Sequence, residues 1–290
     1  MLCCIRPSRR QHRPTSIAMT YISQGESPFF TKLPLELRQM VYMYALGGIS
    51  IHLLWRDGWT HMRGKRCCQE MCYHRRVFTS DQKALDLAPS LLRTCRKIYS
   101  EASEYLYSSN TFCIWYNVES EWSMIEGIAR SAFYDDFGFC ALPRILGPRP
   151  FGQIRSLRYF WDMQASDNPD FPLKKGAPWS ENWYMVWKVL STMKELRELF
   201  FLVTLNLHTP KLRRLWRERA VEMFEPVKDV TAPTSFLVVL TDSKLENSPE
   251  DIRPASLDIG DSSCVFQVWP YYEVEKKRGG NSGQSEGPSF

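Results

Sequence analysis

Apolar and polar positions alternate in blocks along this chain, and each block predicts an element. Pro34 suits the first position of a helix, where its missing N–H leaves no bond unmade. Leu37, Met40, Val41, Tyr44 and Ala45 then recur at helical spacing and predict one buried face, ended by Gly47-Gly48. Ile49, Ile51, Leu53 and Trp55 alternate with their neighbours as in a strand, and Asp57-Gly58 predicts a hairpin turn towards Trp59 and His61. Residues 62–80 are polar and basic and read as a loop. Pro89 opens a second helix with Leu91, Cys95, Ile98, Tyr99, Ala102, Tyr105 and Leu106 on its apolar stripe; Arg93, Arg96, Lys97, Glu101 and Glu104 fall on the solvated side. Thr111 to Trp115 predicts a strand, and Asn117 can cap a helix carrying Val118, Trp122, Ile125 and Ile128.

The second half is a strand–helix alternation. Ile154 to Trp161, Leu199 to Leu205, Phe236 to Leu240 and Cys264 to Val268 predict strands. Leu199 to Leu205 is almost continuously apolar, as expected of a strand covered on both faces. Between the first three lie helices marked by Trp183, Trp187, Leu190 and Met193, and by Leu212, Leu215, Trp216, Ala220 and Met223. The expected fold class is α+β or α/β, with a parallel sheet built from right-handed crossovers. A leucine-rich-repeat-like solenoid is the compatible variant, although no clean repeat consensus is present.

Composition adds boundaries. The chain has 290 residues, 44% hydrophobic and 24% charged, which excludes a wholly disordered or collagen-like polymer. Residues 1–27 and 273–290 read as disordered tails around a single domain at 28–272. That domain divides into a helical half at 28–130, with a basic loop at 56–80, and a sheet half at 150–272. The net charge is +5, but it is concentrated. Four arginines face only Glu26 in residues 1–31, and six basic residues face Asp57 and Glu70 in residues 56–76. The remainder is slightly acidic, so no basic groove is implied and no nucleic-acid partner is expected.

Three segments carry a resemblance: Leu33-Pro34-Leu35-Glu36-Leu37-Arg38 with Val41-Tyr42, Leu91 to Ala102, and Tyr107-Ser108-Ser109-Asn110-Thr111-Phe112. Together they resemble a group of uncharacterised fungal proteins with an F-box-like start, catalogued as a domain of unknown function. The resemblance covers roughly residues 28–240. It implies F-box-like N-terminal helices packed with the sheet. In an F-box such helices bind the Skp linker subunit of cullin-type ubiquitin ligases. Here Leu33, Pro34, Leu37 and Val41 match the opening and would carry that contact. The resemblance implies a non-enzymatic protein-interaction module, an F-box-like ubiquitin-ligase substrate adaptor for an unknown protein substrate.

Two cysteine groups remain. Cys3 and Cys4, followed by Arg6, Arg9, Arg10 and Arg13, resemble the doubly palmitoylated start of neuromodulin. Two acyl chains, or one with a basic cluster, would tether the chain to an anionic membrane as a scaffold. His61, Cys67, Cys68, Cys72 and His74 offer the thiolate and imidazole ligands that zinc prefers, but their spacing matches no zinc signature, so no metal or other cofactor is expected. Trp59 and Tyr73 in the same basic loop could stack on bases, the corresponding nucleic-acid reading. No Gly-x-Ser-x-Gly, His-Glu-x-x-His or phosphate-cradling glycine loop occurs, and no catalytic residue is singled out. Nine cysteines without an apolar leader fit an intracellular, cytoplasmic or nuclear location, or a peripheral membrane one if the N-terminus is acylated.

Overall fold

The computed structural model describes residues 26–56, 61–67, 89–117, 138–163, 178–207, 209–242, 252–254 and 256–271. Strands β1 (Ser50–Arg56), β2 (His61–Arg66), β3 (Thr111–Asn117), β4 (Ser156–Asp162), β5 (Glu198–Leu205), β6 (Ser235–Asp242) and β7 (Cys264–Val268) form one sheet. Its order is β2-β1-β3-β4-β5-β6-β7. Only the β1–β2 hairpin is antiparallel; every other neighbouring pair is parallel. The parallel sheet read from the alternation is therefore present. It runs through both halves of the chain, because β1 and β3 join the strands of the second half. His61–Arg66 corrects the reading of residues 62–80 as loop from their first residue: the hairpin arm continues to Arg66, with Ile51 opposite Arg66. The six parallel strands β1, β3, β4, β5, β6 and β7 lie in chain order, and the order reverses only at the antiparallel arm β2, so the parallel part of the sheet has no switch point of the doubly wound kind.

Eight α-helices accompany the sheet among the described residues: α1 (Pro28–Thr31), α2 (Leu35–Leu46), α3 (Pro89–Leu92), α4 (Arg96–Ser108), α5 (Leu142–Leu146), α6 (Pro148–Gly152), α7 (Pro178–Thr192) and α8 (Pro210–Phe224). Pro34 is the residue before α2 rather than its first. The helix expected from Pro89 onwards is broken. The chain turns at Arg93-Thr94, and Cys95 becomes the cap of α4, its sulfur accepting from the Ile98 N–H at 3.4 Å. The helix expected after Asn117 falls at residues 118–137, outside the described residues.

One sheet face holds the main core. Leu157, Tyr159 and Trp161 of β4, Leu199, Phe201 and Val203 of β5, and Phe236, Val238 and Leu240 of β6 meet Trp183 and Trp187 of α7 and Trp216, Met223 and Phe224 of α8. Trp187 stacks on Phe201 at 4.5 Å, and the Trp183 indole donates to the Met223 carbonyl at 2.7 Å. Wide rings with one polar atom suit this layer, because each buries a large area and needs a single acceptor. The opposite face is apolar too. Cys113, Phe160, Leu202 and Val239 are buried there with Cys67, which explains why β5 and β6 read as continuous apolar runs. A third cluster joins Tyr42 and Leu46 of α2 to Ile98 and Ala102 of α4.

Candidate partner-docking site

Helix α2 is apolar almost all round, so periodicity alone names no inner face. The structure seats Arg38, Tyr42 and Leu46 inwards and leaves Leu35, Leu37, Met40, Val41, Met43 and Tyr44 exposed. This corrects the expectation that Leu37, Met40, Val41 and Tyr44 form the buried stripe. Tyr44 is 83% exposed and Met40 53%. Leu33 is half-buried and Pro34 exposed.

The cause lies in α4. Glu101, read from sequence as solvated, points at α2 and receives two hydrogen bonds from Arg38: Nε to Oε2 at 3.0 Å and Nη2 to Oε1 at 3.1 Å. The Tyr42 hydroxyl donates to the same Oε2 at 2.9 Å, and Arg38 Nη1 donates to the Leu33 carbonyl at 2.8 Å. Arg38 lies over the Phe30 ring at 5.4 Å, and Lys97 lies over it at 4.3 Å. A planar guanidinium satisfied by a bidentate carboxylate, a carbonyl and a ring can be buried where a bare charge could not. Burial pushes the Glu101 carboxyl up, but the hydrogen bonds from Arg38 and Tyr42 outweigh it and hold the group below its usual range. Burial, and then the bond to Glu101, push the Tyr42 phenol far above its usual range. The clamp is therefore ionised Arg38, ionised Glu101 and neutral Tyr42 at neutral pH.

A second tie fixes the ends of both helices. Asn110, buried, accepts from the Ile49 N–H at 3.0 Å and donates to the Leu46 carbonyl at 2.6 Å and the Leu106 carbonyl at 2.8 Å. Those carbonyls belong to the last turns of α2 and α4, which have no helical donors. At Gly47 a Cβ would meet the Ser109 Cβ at 2.9 Å, so only glycine permits this close approach.

Sequence reasoning quoted Arg38 and Tyr42 within the resemblance and gave neither a role. The available signal was that Arg38, Tyr42 and Ala45 share a helical face distinct from that of Leu37, Met40, Val41 and Tyr44. The described part of the connection between α2 and α4 comprises β1 and β2, both in the sheet, and the short helix α3.

The other sequence candidates fall elsewhere. Cys3, Cys4, Cys68, Cys72 and His74 lie outside the described residues. The His61 backbone pairs with Arg56 at the turn end of the hairpin. Cys67 is buried in the apolar cluster with Cys113 and Phe160, and its N–H donates to the Ser50 carbonyl at 2.8 Å. Among the described residues no group of three or more His, Cys, Asp or Glu is placed to hold a metal ion, and no helix is long and apolar enough to cross a membrane. The carboxyl edge of the sheet, where open parallel sheets commonly bind ligands, aligns Asp162, Thr204 and Thr241 in register, all buried. Next to them Asp242 accepts from the Leu207 N–H at 3.1 Å, so one of its oxygens closes the β5 turn.

Neither the curated proteins nor the solved structures contain a match to the chain. One family model does match, across residues 22–268, a span that takes in the α2–α4 clamp and the whole sheet. On that match the chain belongs to the family described as a domain of unknown function, DUF7730.

Proposed function

We propose that this chain is a non-enzymatic protein-interaction module of the F-box-like adaptor kind, with the outer face of α2 docking an apolar helical surface of a Skp-type linker subunit. One observation carries the reading. Leu37, Met40, Val41 and Tyr44 stand outwards on a helix whose orientation is locked from behind by Arg38, Tyr42 and Glu101. Exposed large apolar side chains grouped on one element mark interaction surfaces, whereas scattered ones do not. A rigid helix face with anchors at i, i+3, i+4 and i+7 suits helix-in-groove recognition, because little ordering entropy remains to be lost. Leu37 and Val41 are two of the positions that match the F-box opening.

The sheet half would then present the substrate-recognition surface. The test is direct binding of the purified full chain to a purified Skp-type linker by calorimetry. A saturable complex that weakens at least tenfold in Leu37→Asp, with an unchanged circular dichroism spectrum, supports the reading. No binding, or binding indifferent to Leu37→Asp, overturns it. Leu37 is chosen because it faces away from the clamp, so the folded structure does not depend on it.

A further inference from the structure

The two edges of the sheet are built differently. The β2 edge carries Arg63, Lys65 and Arg66 in six residues, the pattern by which natural sheets refuse a further strand. The β7 edge, Cys264-Val265-Phe266-Gln267-Val268, carries no charge. Its helix-packed side is incompletely covered. Among the described residues the crossover from β6 to β7 holds no α-helix, and Phe266 and Val268 are only half-buried against that core. Val265 on the other face is 54% exposed.

We infer that β7 pairs antiparallel with β7 of a second copy of this chain, making a two-fold dimer with one continuous sheet. The backbone sets the register. Trp269 N–H donates to the Leu240 carbonyl at 3.0 Å, so the odd-numbered residues of β7 bond to β6. Cys264, Phe266 and Val268 therefore turn their N–H and C=O groups outwards. A two-fold axis between Phe266 and its partner sets Cys264 opposite Val268 of the second copy and makes about six new backbone hydrogen bonds. The helix-packed faces stay on one side, so Phe266 meets Phe266 beside Phe224, whose ring already lies 5.1 Å from it. On the other face Val265 lies opposite Gln267 of the second copy.

Charge selects the occupant. A two-fold pairing sets the edge against a copy of itself, which an uncharged strand allows without repulsion and the basic β2 edge does not. The edge is only five residues long, so the interface is small and the association weak.

The experiment is sedimentation velocity of the full chain from about 1 to about 100 μM, a range set by the small interface. A monomer–dimer equilibrium that disappears in Val265→Lys/Gln267→Lys is the expected result, because lysines then face lysines across the junction. A monomer at every concentration overturns the inference, as does a dimer that the double substitution leaves intact or that Leu37→Asp abolishes. Should the lysine variant lose its fold, mixed Val265→Cys and Gln267→Cys chains decide. Oxidation should link positions 265 and 267 only in the mixture, mapped by peptide mass; no such link overturns the pairing.

Discussion

Replacing Asn110 with alanine separates a structural tie from a passive loop residue. In the native chain this buried side chain serves three backbone groups at once: the Leu46 carbonyl in a buried bond, and the Ile49 N–H and the Leu106 carbonyl in part-buried ones. Alanine removes every partner together. Each buried group left without a hydrogen bond costs about 1–3 kcal/mol, and partial entry of water lowers the sum, so a loss of about 3–5 kcal/mol is expected. Asn110→Asp keeps the acceptor for Ile49 but brings a carboxylate to two carbonyls, so it should cost at least as much. Urea unfolding followed by tryptophan fluorescence measures both. With a slope of about 3 kcal/mol/M the midpoint should fall by about 1 M or more. A fall corresponding to less than about 0.5 kcal/mol, typical of a surface substitution, would refute the reasoning. It would mean that α2, α4 and the start of β1 hold together without the amide.

Other consequences can be measured with equal economy. Glu101 has a lower pKa folded than unfolded, so its contribution is complete above the unfolded value of about 4.3 and is lost as pH falls through the folded one. The gap in thermal midpoint between the native chain and Glu101→Gln should accordingly narrow from pH 7 to pH 3; a constant gap contradicts the clamp. Cys95→Ser replaces a weak sulfur cap with a strong oxygen one and should raise stability by about 0.5 kcal/mol, whereas a lowered midpoint argues that the thiol matters for packing. Thr209→Ala removes the oxygen that accepts from the Leu212 N–H at the start of α8, and should lose about 1 kcal/mol in the same urea assay. Trp183→Phe leaves the Met223 carbonyl without its donor beside a small cavity, and a loss of about 2–4 kcal/mol is expected in calorimetric unfolding.

Much of the sheet was legible because burial on both faces writes itself into sequence as an unbroken apolar run. Leu199 to Leu205 and Phe236 to Leu240 are such runs, and their strands are interior ones, each paired on both sides. The helix of Leu212, Trp216, Ala220 and Met223 was equally plain, because its opposite side is charged apart from Val221. The break before α4 was hidden. Cys95 continues the apolar spacing, and only its cap geometry shows that the helix begins after it. The short helices α5 and α6 left no periodic signal, since five residues make little more than one turn.

For the docking surface, sequence alone determined that α2 exists, that Leu33 and Pro34 stand where it opens and that Leu37 and Val41 lie along it. It also placed the positive charge in the N-terminal stretch and in the segment after β1. Which way α2 faces was a tertiary decision. Its apolar residues leave several orientations similar in transfer free energy. The choice came from Glu101, 63 residues from Arg38, where a carboxylate with two donors at hand makes burial of an arginine favourable and turns the leucine face outwards. No local pattern contains that term, because the partner that satisfies the charge arrives only when the sheet brings α2 and α4 together.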